Sequence, residues 1–285
     1  MISLERDEQT QLKNIRSSLK RITCYLGLHT ASGYDRVVMT VCSSTGKRES
    51  TAEWLHPDEV AYLDKLRFVK RRQSYLAGRY AAKHAVAAWI GANIPLQRIA
   101  IRHGQLEQPI VTADGHPNIQ VSITHCDGGA AAIAFHEAIP LGIDMELVQQ
   151  EKKDVLLSQI TARECDTVKQ LPFTQTASLT LLWTAKESLS KALKTGLTVP
   201  SYFYETVDVE ANASFVYGRY AFFPQYRFLS FIAGPYAYAI TFPRHATLTV
   251  PLDRSPLLLS AFAQQLRVNT RRLSRKPGSS LGDNL

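Results

Sequence analysis

The stretch Ile119–Val148, IQVSITHCDGGAAAIAFHEAIPLGIDMELV, decides the fold. It holds three β-rich runs, at residues 119–125, 130–136 and 141–148, and the turn-forming Cys126-Asp127-Gly128-Gly129 separates the first two. With a further short run at 98–102, the segment reads as an antiparallel meander. Upstream, RVVMTVC at 36–42 has the β-branched enrichment of a strand. Between Pro57 and Ile90 the chain is rich in Ala, Leu, Lys and Arg, which predicts two helices, the second from Arg71 to Ile90, ended by Gly91 and Pro95. Downstream of a break at Pro172, TASLTLLWTAKESLSKALKTG predicts one long helix with Gly196 as its carboxyl cap, and aromatic-rich strands follow over 203–242. Each half thus supplies a helical part and a meander, without a motif repeated at any fixed period. The expected fold is α+β in two similar lobes. Its divisions are a polar N-terminal extension at 1–22, lobes at 23–138 and 139–250, and a basic, partly disordered tail at 251–285.

The 285 residues are 45% hydrophobic and carry a formal net charge of +8, which suits a globular body whose surface attracts anions. Charge alone does not choose among nucleic acid, acidic lipid, phosphorylated cofactors and acidic proteins. Cys24, Cys42, Cys126 and Cys165 are widely spaced and form no C-x-x-C pair, which argues against a disulfide scaffold or structural zinc and for a reducing cytoplasm. The first twenty residues have mixed charge and no apolar core, and no run of eighteen apolar residues occurs, so the expectation is a soluble, unexported protein.

Four segments carry candidate chemistry. In GIDMELV, Asp144 and Glu146 are two residues apart in a strand pattern, so both carboxylates share one face. Magnesium takes one or two protein carboxylates and fills its shell with water and phosphate, so the pair is sufficient for phosphate chemistry. Taken alone, D-x-E is more often the acidic solvent face of an ordinary strand. In WTAKESLSKAL, Trp183, Glu187 and Lys191 follow at four-residue steps and share a helix face, with Lys186 beside it; the bland alternative is a surface Glu–Lys pair worth about 0.2–0.5 kcal/mol. VSITHCDGG puts Thr124 and His125 at a strand end, where hydroxyl, imidazole and backbone N–H groups can meet a phosphate, although a lone histidine there is usually just solvated. KRRQSYLAGRYAAKHAV sets Arg72, Arg79 and Lys83 nearly on one helical stripe, with Gly78 leaving room beside Arg79. Such a stripe can hold a multiply charged phosphate, but is more commonly solvated.

Together these segments resemble the larger, pseudodimeric branch of the 4′-phosphopantetheinyl transferase superfamily, the branch serving siderophore, polyketide and nonribosomal peptide synthases. The resemblance covers roughly residues 70–209 and rests chiefly on GIDMELV followed about forty residues later by WTAKESLSKAL, with support from KRRQSYLAGRYAAKHAV, DGHPNIQVSITH and GLTVP. It implies two α/β lobes forming a pseudodimer, the first binding coenzyme A and the second holding the metal site and catalysis. It implies Asp144, Glu146 and Glu187 as magnesium ligands, Glu187 also as activator of the attacking serine, and Lys191 at the leaving phosphate. Thr124 and His125 would contact the coenzyme A phosphates, Arg72 and Arg79 the 3′-phosphate region, and His116 and Pro117 the adenine side. Lys186 would be a further phosphate contact, with Lys83 and Arg71 as lesser candidates. The implied reaction moves phosphopantetheine from coenzyme A to a serine of an apo acyl or peptidyl carrier protein and releases 3′,5′-ADP. The implied setting is a cytoplasmic monomer engaging neither nucleic acid nor membrane. Cys126 stands where the family commonly has a small serine, and His116 where it commonly has a lysine.

Two rivals come from other classes. Clustered Asp, Glu and Lys on a basic protein also suit a metal-dependent nuclease, against which stands the absence of a nucleic-acid recognition motif. A non-catalytic basic module docking acidic partners is compatible with the overall charge, but three separated carboxylates are out of place on a purely anion-binding surface.

Overall fold

The computed structural model describes residues 21–31, 33–43, 53–91, 93–196, 198–212 and 215–249. The chain opens with strands β1 (Arg21–Thr30) and β2 (Gly33–Ser43), followed by helices α1 (Pro57–Lys65) and α2 (Val69–Ile90). Four strands follow, β3 (Ile99–His103), β4 (Pro109–Ala113), β5 (Ile119–Cys126) and β6 (Gly129–His136). The second half starts at β7 (Gly142–Leu147) and passes through α3 (Lys153–Leu157), α4 (Ala162–Gln170) and α5 (Gln175–Ala192). It ends in β8 (Thr206–Ala211), β9 (Val216–Tyr220), β10 (Tyr226–Ala233), β11 (Tyr236–Pro243) and β12 (Thr247–Thr249).

The described strands form two five-stranded sheets, ordered β12-β1-β2-β6-β5 and β7-β11-β10-β9-β8, and β3 pairs with β4 in a separate ribbon. The sheets bury a shared core in which Leu26, Val37, Met39, Ile133 and Phe135 of the first meet Ile143, Met145, Phe231 and Tyr238 of the second. Helix α2 covers the other face of the first sheet, where Ala77, Ala81, Ala82 and Ala85 let it lie close. Helix α5 covers the second through Leu179, Leu182, Ala185 and Leu189. Each sheet therefore buries an apolar face on both sides, and the α+β reading in two lobes holds.

Both lobes repeat one buried device that no sequence period betrays. In the first, the capping box of α1 places Glu59 at the third helical position; its Oε1 accepts from Ile101 N–H at 3.0 Å and its Oε2 lies 2.5 Å from Lys83 Nζ. Lys83 also donates to the carbonyls of Trp54 and Leu96. In the second, the capping box of α4 places Glu164 likewise; its Oε1 accepts from Thr206 N–H at 2.8 Å and its Oε2 lies 2.7 Å from Lys186 Nζ. Lys186 in turn donates to the carbonyls of Gln159 and Ser201. All four side chains are buried, and each ammonium has three oxygen partners, which is what makes charges tolerable in a core. The run β2-α1-α2-β3-β4-β5-β6 is thus matched by β7-α4-α5-β8-β9-β10-β11.

Several expectations need correction. The chain segment read as a polar extension to residue 22 already enters β1 at Arg21, and β1 pairs with β2 along its length. Strand β4 was not anticipated. Thr247–Thr249, expected in the second lobe, return to the first sheet as β12 beside β1. Helix α5 ends before Gly196: Lys194 takes the left-handed conformation at φ 59°, and the amides of Lys194 and Thr195 close on the carbonyls of Lys191 and Ser190. That is the hydrogen-bond pattern of a Schellman cap, with lysine where glycine is usual. Gly91 does cap α2, at φ 76°. The remainder of the N-terminal extension and the basic tail lie outside the described residues. Cys24, Cys126 and Cys165 are free thiols, Cys42 donates its S–H to the Ala77 carbonyl, and no described helix is long and apolar enough to cross a membrane.

Candidate active site

The site forms where the edge strand of one sheet, β5, lies beside the edge strand of the other, β7. Alternation along β7 sends Ile143 and Met145 into the core between the sheets, which turns Asp144 and Glu146 the other way, toward α5. Gly142 sets how close that helix comes: a Cβ there would lie 2.0 Å from the Ser188 carbonyl oxygen and 2.7 Å from the Ala192 nitrogen. With the backbones in contact, Lys191 Nζ reaches Asp144 Oδ1 at 2.5 Å. The same oxygen accepts from Thr124 Oγ1 at 2.8 Å. Asp144 is only 3% exposed, and its Oδ2 is buried with no hydrogen-bond partner among the described residues.

Glu146 pairs with Lys152 at 3.3 Å, and burial together with the nearby charge of Asp144 raises its pKa. Glu187 is pushed up to about 7, first by burial and then by Asp144, with Lys191 acting in the opposite direction. Two carboxylates with raised proton affinity beside a third, Asp144, that keeps an orphaned buried oxygen have the hard-oxygen chemistry a magnesium ion takes. The donor set therefore fits a divalent cation. Among the described residues no three such side chains are already gathered into a cage, so carboxylate rotation would have to close it.

Beside this cluster the first lobe offers a cleft of about 390 Å³ lined by Arg71, Ser74, Tyr75, Gly78 and Arg79 of α2 with Tyr62, Leu66, His103, Ile123 and His125. Gly78 lets β5 approach, since a Cβ there would sit 3.1 Å from Ile123. Arg79 is buried, lies 4.6 Å from the centre of the Tyr75 ring and holds His103 Nε2 at 2.8 Å. Tyr62 stacks on both Tyr75 and His103, with ring centres 5.0 and 4.6 Å away. Burial lowers the pKa of His125, and the Lys191 ammonium lowers it further, so His125 joins the cleft to the carboxylate site. A second cavity of about 270 Å³ shares Ile123 with the cleft, with Val121, Phe135 and Leu141 as apolar walls and Lys191 and Lys194 among its lining.

The sequence candidates separate into two groups. Asp144, Glu146, Glu187, Lys191, Thr124 and His125 come together, and Arg79 and the lesser candidate Arg71 line the cleft. Arg72 instead donates to the carbonyls of Leu63 and Leu66, tying off α1, and does not line the cleft. Lys83 and Lys186 are spent inside their lobes on Glu59 and Glu164, so neither ammonium faces a phosphate. His116 and Pro117, in the turn between β4 and β5, line neither of the two cavities. Trp183, expected beside Glu187, packs against the second-lobe core. The hydroxyl of Thr124 is occupied by Asp144 and by the amide of Met145. Sequence reading missed Tyr62 and His103, which lie outside every motif, Tyr75, which lies within KRRQSYLAGRYAAKHAV between the arginines, and Ser122, which sits in plain view in VSITH but whose partner, the Ile143 amide, is set by the packing of the lobes.

Residues 140–241 match the profile of the 4′-phosphopantetheinyl transferase superfamily, and residues 64–135 that of the 4′-phosphopantetheinyl transferase N-terminal domain. Enterobactin synthase component D of Escherichia coli O157:H7 is 34% identical over 125 residues, 43% of this chain and 55% of that protein. The holo-[acyl-carrier-protein] synthase of Staphylococcus carnosus is 30% identical over 82 residues, 27% of this chain and 69% of that protein. A crystal structure of a holo-(acyl-carrier-protein) synthase from Bacillus anthracis in complex with CoA (3′,5′-ADP) is similar at 18% identity and a TM-score of 0.33, over 39% of this chain and 96% of that one. The chain spans little more than half the length of the enterobactin synthase relatives it matches, 55% in the case quoted.

Proposed function

The chain belongs to the 4′-phosphopantetheinyl transferase superfamily, and from that premise we propose that it moves the 4′-phosphopantetheine arm of coenzyme A onto a serine of an apo acyl or peptidyl carrier protein. The observation that carries the reading is the junction of a carboxylate cluster with a basic, aromatic-walled cleft at His125. The cleft suits the phosphorylated nucleotide end of coenzyme A, with Arg79 and Arg71 taking phosphate charge and His125 turned toward the diphosphate. The carrier serine approaches from the α5 side. Its Oγ forms a bond to the phosphorus next to pantetheine, the bond from that phosphorus to the bridging oxygen breaks, and 3′,5′-ADP departs. Glu187 takes the serine proton, and Lys191 holds the negative charge that grows on the leaving phosphate. A magnesium ion bound by Asp144, Glu146 and Glu187 would neutralise diphosphate charge and orient it.

Carriers of siderophore, polyketide or nonribosomal peptide synthases are the natural substrate class. The absence of a disulfide among the described cysteines fits a reducing cytoplasm, and a cleft from one lobe meeting carboxylates from the other lobe of the same chain fits a monomer. The test is incubation with coenzyme A, magnesium and a panel of apo carrier proteins, read by intact mass. Addition of one phosphopantetheine to a carrier supports the reading. Coenzyme A binding without transfer to any carrier would overturn it.

A further inference from the structure

Strands β5 and β7 lie edge to edge, yet they belong to different sheets and no backbone ladder joins them among the described residues. Two hydroxyls cross the gap instead. Ser122 Oγ accepts from the Ile143 N–H, and Thr124 Oγ1 accepts from the Met145 N–H, both at 3.1 Å. The two are neighbours on one face of β5, are 5% and 3% exposed, and receive alternate amides of β7, so as staples between the lobes they are equivalent.

Thr124 differs in where its proton goes. A hydroxyl has one hydrogen to donate, and with the Met145 amide already donating to Oγ1, that hydrogen is given to Asp144 Oδ1 at 2.8 Å. Lys191 occupies the same carboxylate oxygen. One oxygen of Asp144 is therefore held from both sides, by a first-lobe hydroxyl and a second-lobe ammonium, while Oδ2 is buried and has no hydrogen-bond partner among the described residues. We propose that Thr124 is a positioning residue: reaching across the lobe boundary, it fixes the rotation of Asp144 so that Oδ2 faces the cation site, while Ser122 only fastens the lobes. This rests on the cation reading above and replaces the coenzyme A phosphate contact that the family resemblance implied for Thr124. The cation site is then completed only when both lobes are in register.

The test measures Mn²⁺ binding by electron paramagnetic resonance to the full chain saturated with coenzyme A, with no carrier protein present and hence no turnover. Thr124→Ser keeps the hydroxyl and should bind Mn²⁺ as the parent does. Thr124→Val should lose affinity about tenfold or more, the usual effect of removing a group that orients a metal ligand. Ser122→Ala should lower the melting temperature while leaving Mn²⁺ affinity unchanged, which separates fastening from positioning. Should the valine variant not fold, Thr124→Cys, with its weaker donor, should show a smaller loss in the same direction. Coenzyme A affinity measured without metal should be the same for parent and Thr124→Val. Parental Mn²⁺ affinity in the valine variant, or in the cysteine variant if it stands in, overturns the proposal. A loss confined to metal-free coenzyme A affinity restores the phosphate contact in its place. Absence of Mn²⁺ binding by the parent itself overturns the cation reading, and the proposal with it.

Discussion

Replacing Gly142 with alanine adds one methyl group at the point where β7 touches α5, and the structure sets the size of the effect. The new Cβ would lie 2.0 Å from the Ser188 carbonyl oxygen and 2.7 Å from the Ala192 nitrogen, both backbone atoms of the helix, so no side-chain rotation relieves the clash. Bringing the closer contact even to 3.0 Å requires the helix to retreat by about 1 Å. Overpacking of this kind costs about 1–3 kcal/mol, and backbone obstacles on both sides put it at the upper end. The turn displaced is the one carrying Lys191, whose 2.5 Å contact with Asp144 would open by a comparable amount. A 1 Å misplacement of catalytic groups costs about a hundredfold in rate. Urea denaturation should therefore show a lower midpoint, and transfer at saturating coenzyme A should fall about a hundredfold while coenzyme A affinity changes little, because the cleft belongs to the first lobe. A variant with parental stability and rate would refute the claim that the helix-to-strand approach sets the site geometry.

Other substitutions probe the same site and the posts beneath it. Asp144→Ala removes the carboxylate that Lys191, Thr124 and the cation share, and should abolish transfer while leaving a folded protein by circular dichroism. Arg79→Ala should raise the KM for coenzyme A far more than for its 3′-dephospho analogue; equal increases would mean that its packing on Tyr75 and His103 is its whole role. Lys186→Met leaves the buried Glu164 without its cation and should cost about 3–5 kcal/mol, with adding Glu164→Gln recovering part of the loss in the same denaturation assay. Burial, reinforced by Arg21, lowers His84 to about 4 from its ordinary value, so the unfolded chain binds a proton there before the folded one does. Stability from this group should be intact above about pH 6.5 and fall as the pH drops toward 4, and His84→Gln should flatten that part of the profile.

Much of this site could be read from residue spacing because alternation and helical stepping report direction. Asp144 and Glu146 share a face of β7, and Glu187 lies one turn from Lys191 on α5, as their spacing requires. Spacing does not report depth. Arg72, Arg79 and Lys83 lie near one stripe of α2, yet one ties off α1, one lines the cleft and one is sealed in the core. The first strand hid because RITCYLGLHT mixes charge, glycine and apolar residues, and β4 hid because it is five residues long and begins on proline. The repeat was invisible because what recurs is a backbone path and one Glu–Lys post per lobe, set 24 residues apart in Glu59–Lys83 and 22 in Glu164–Lys186. Tyr62, Tyr75 and His103 meet only through the packing of α1, α2 and β3, which no local pattern encodes.

The doubled architecture also determines stoichiometry. Two related lobes would have two equivalent junctions, one where β5 meets β7 and one where β10 would meet β2. The outer edge of β2 is taken by β1, so that second junction is closed. The residues agree: aligning the lobes on their buried lysines puts His84 where α5 has Glu187 and Ala88 where it has Lys191. Matching the β2–β6 pairing to β7–β11 puts Thr40 in the place of Asp144 and Cys42 in that of Glu146. One lobe keeps the frame without the charges. A calorimetric titration should therefore saturate at one coenzyme A per chain, a half-of-lobes count that reflects the covered edge and not negative cooperativity between two sites.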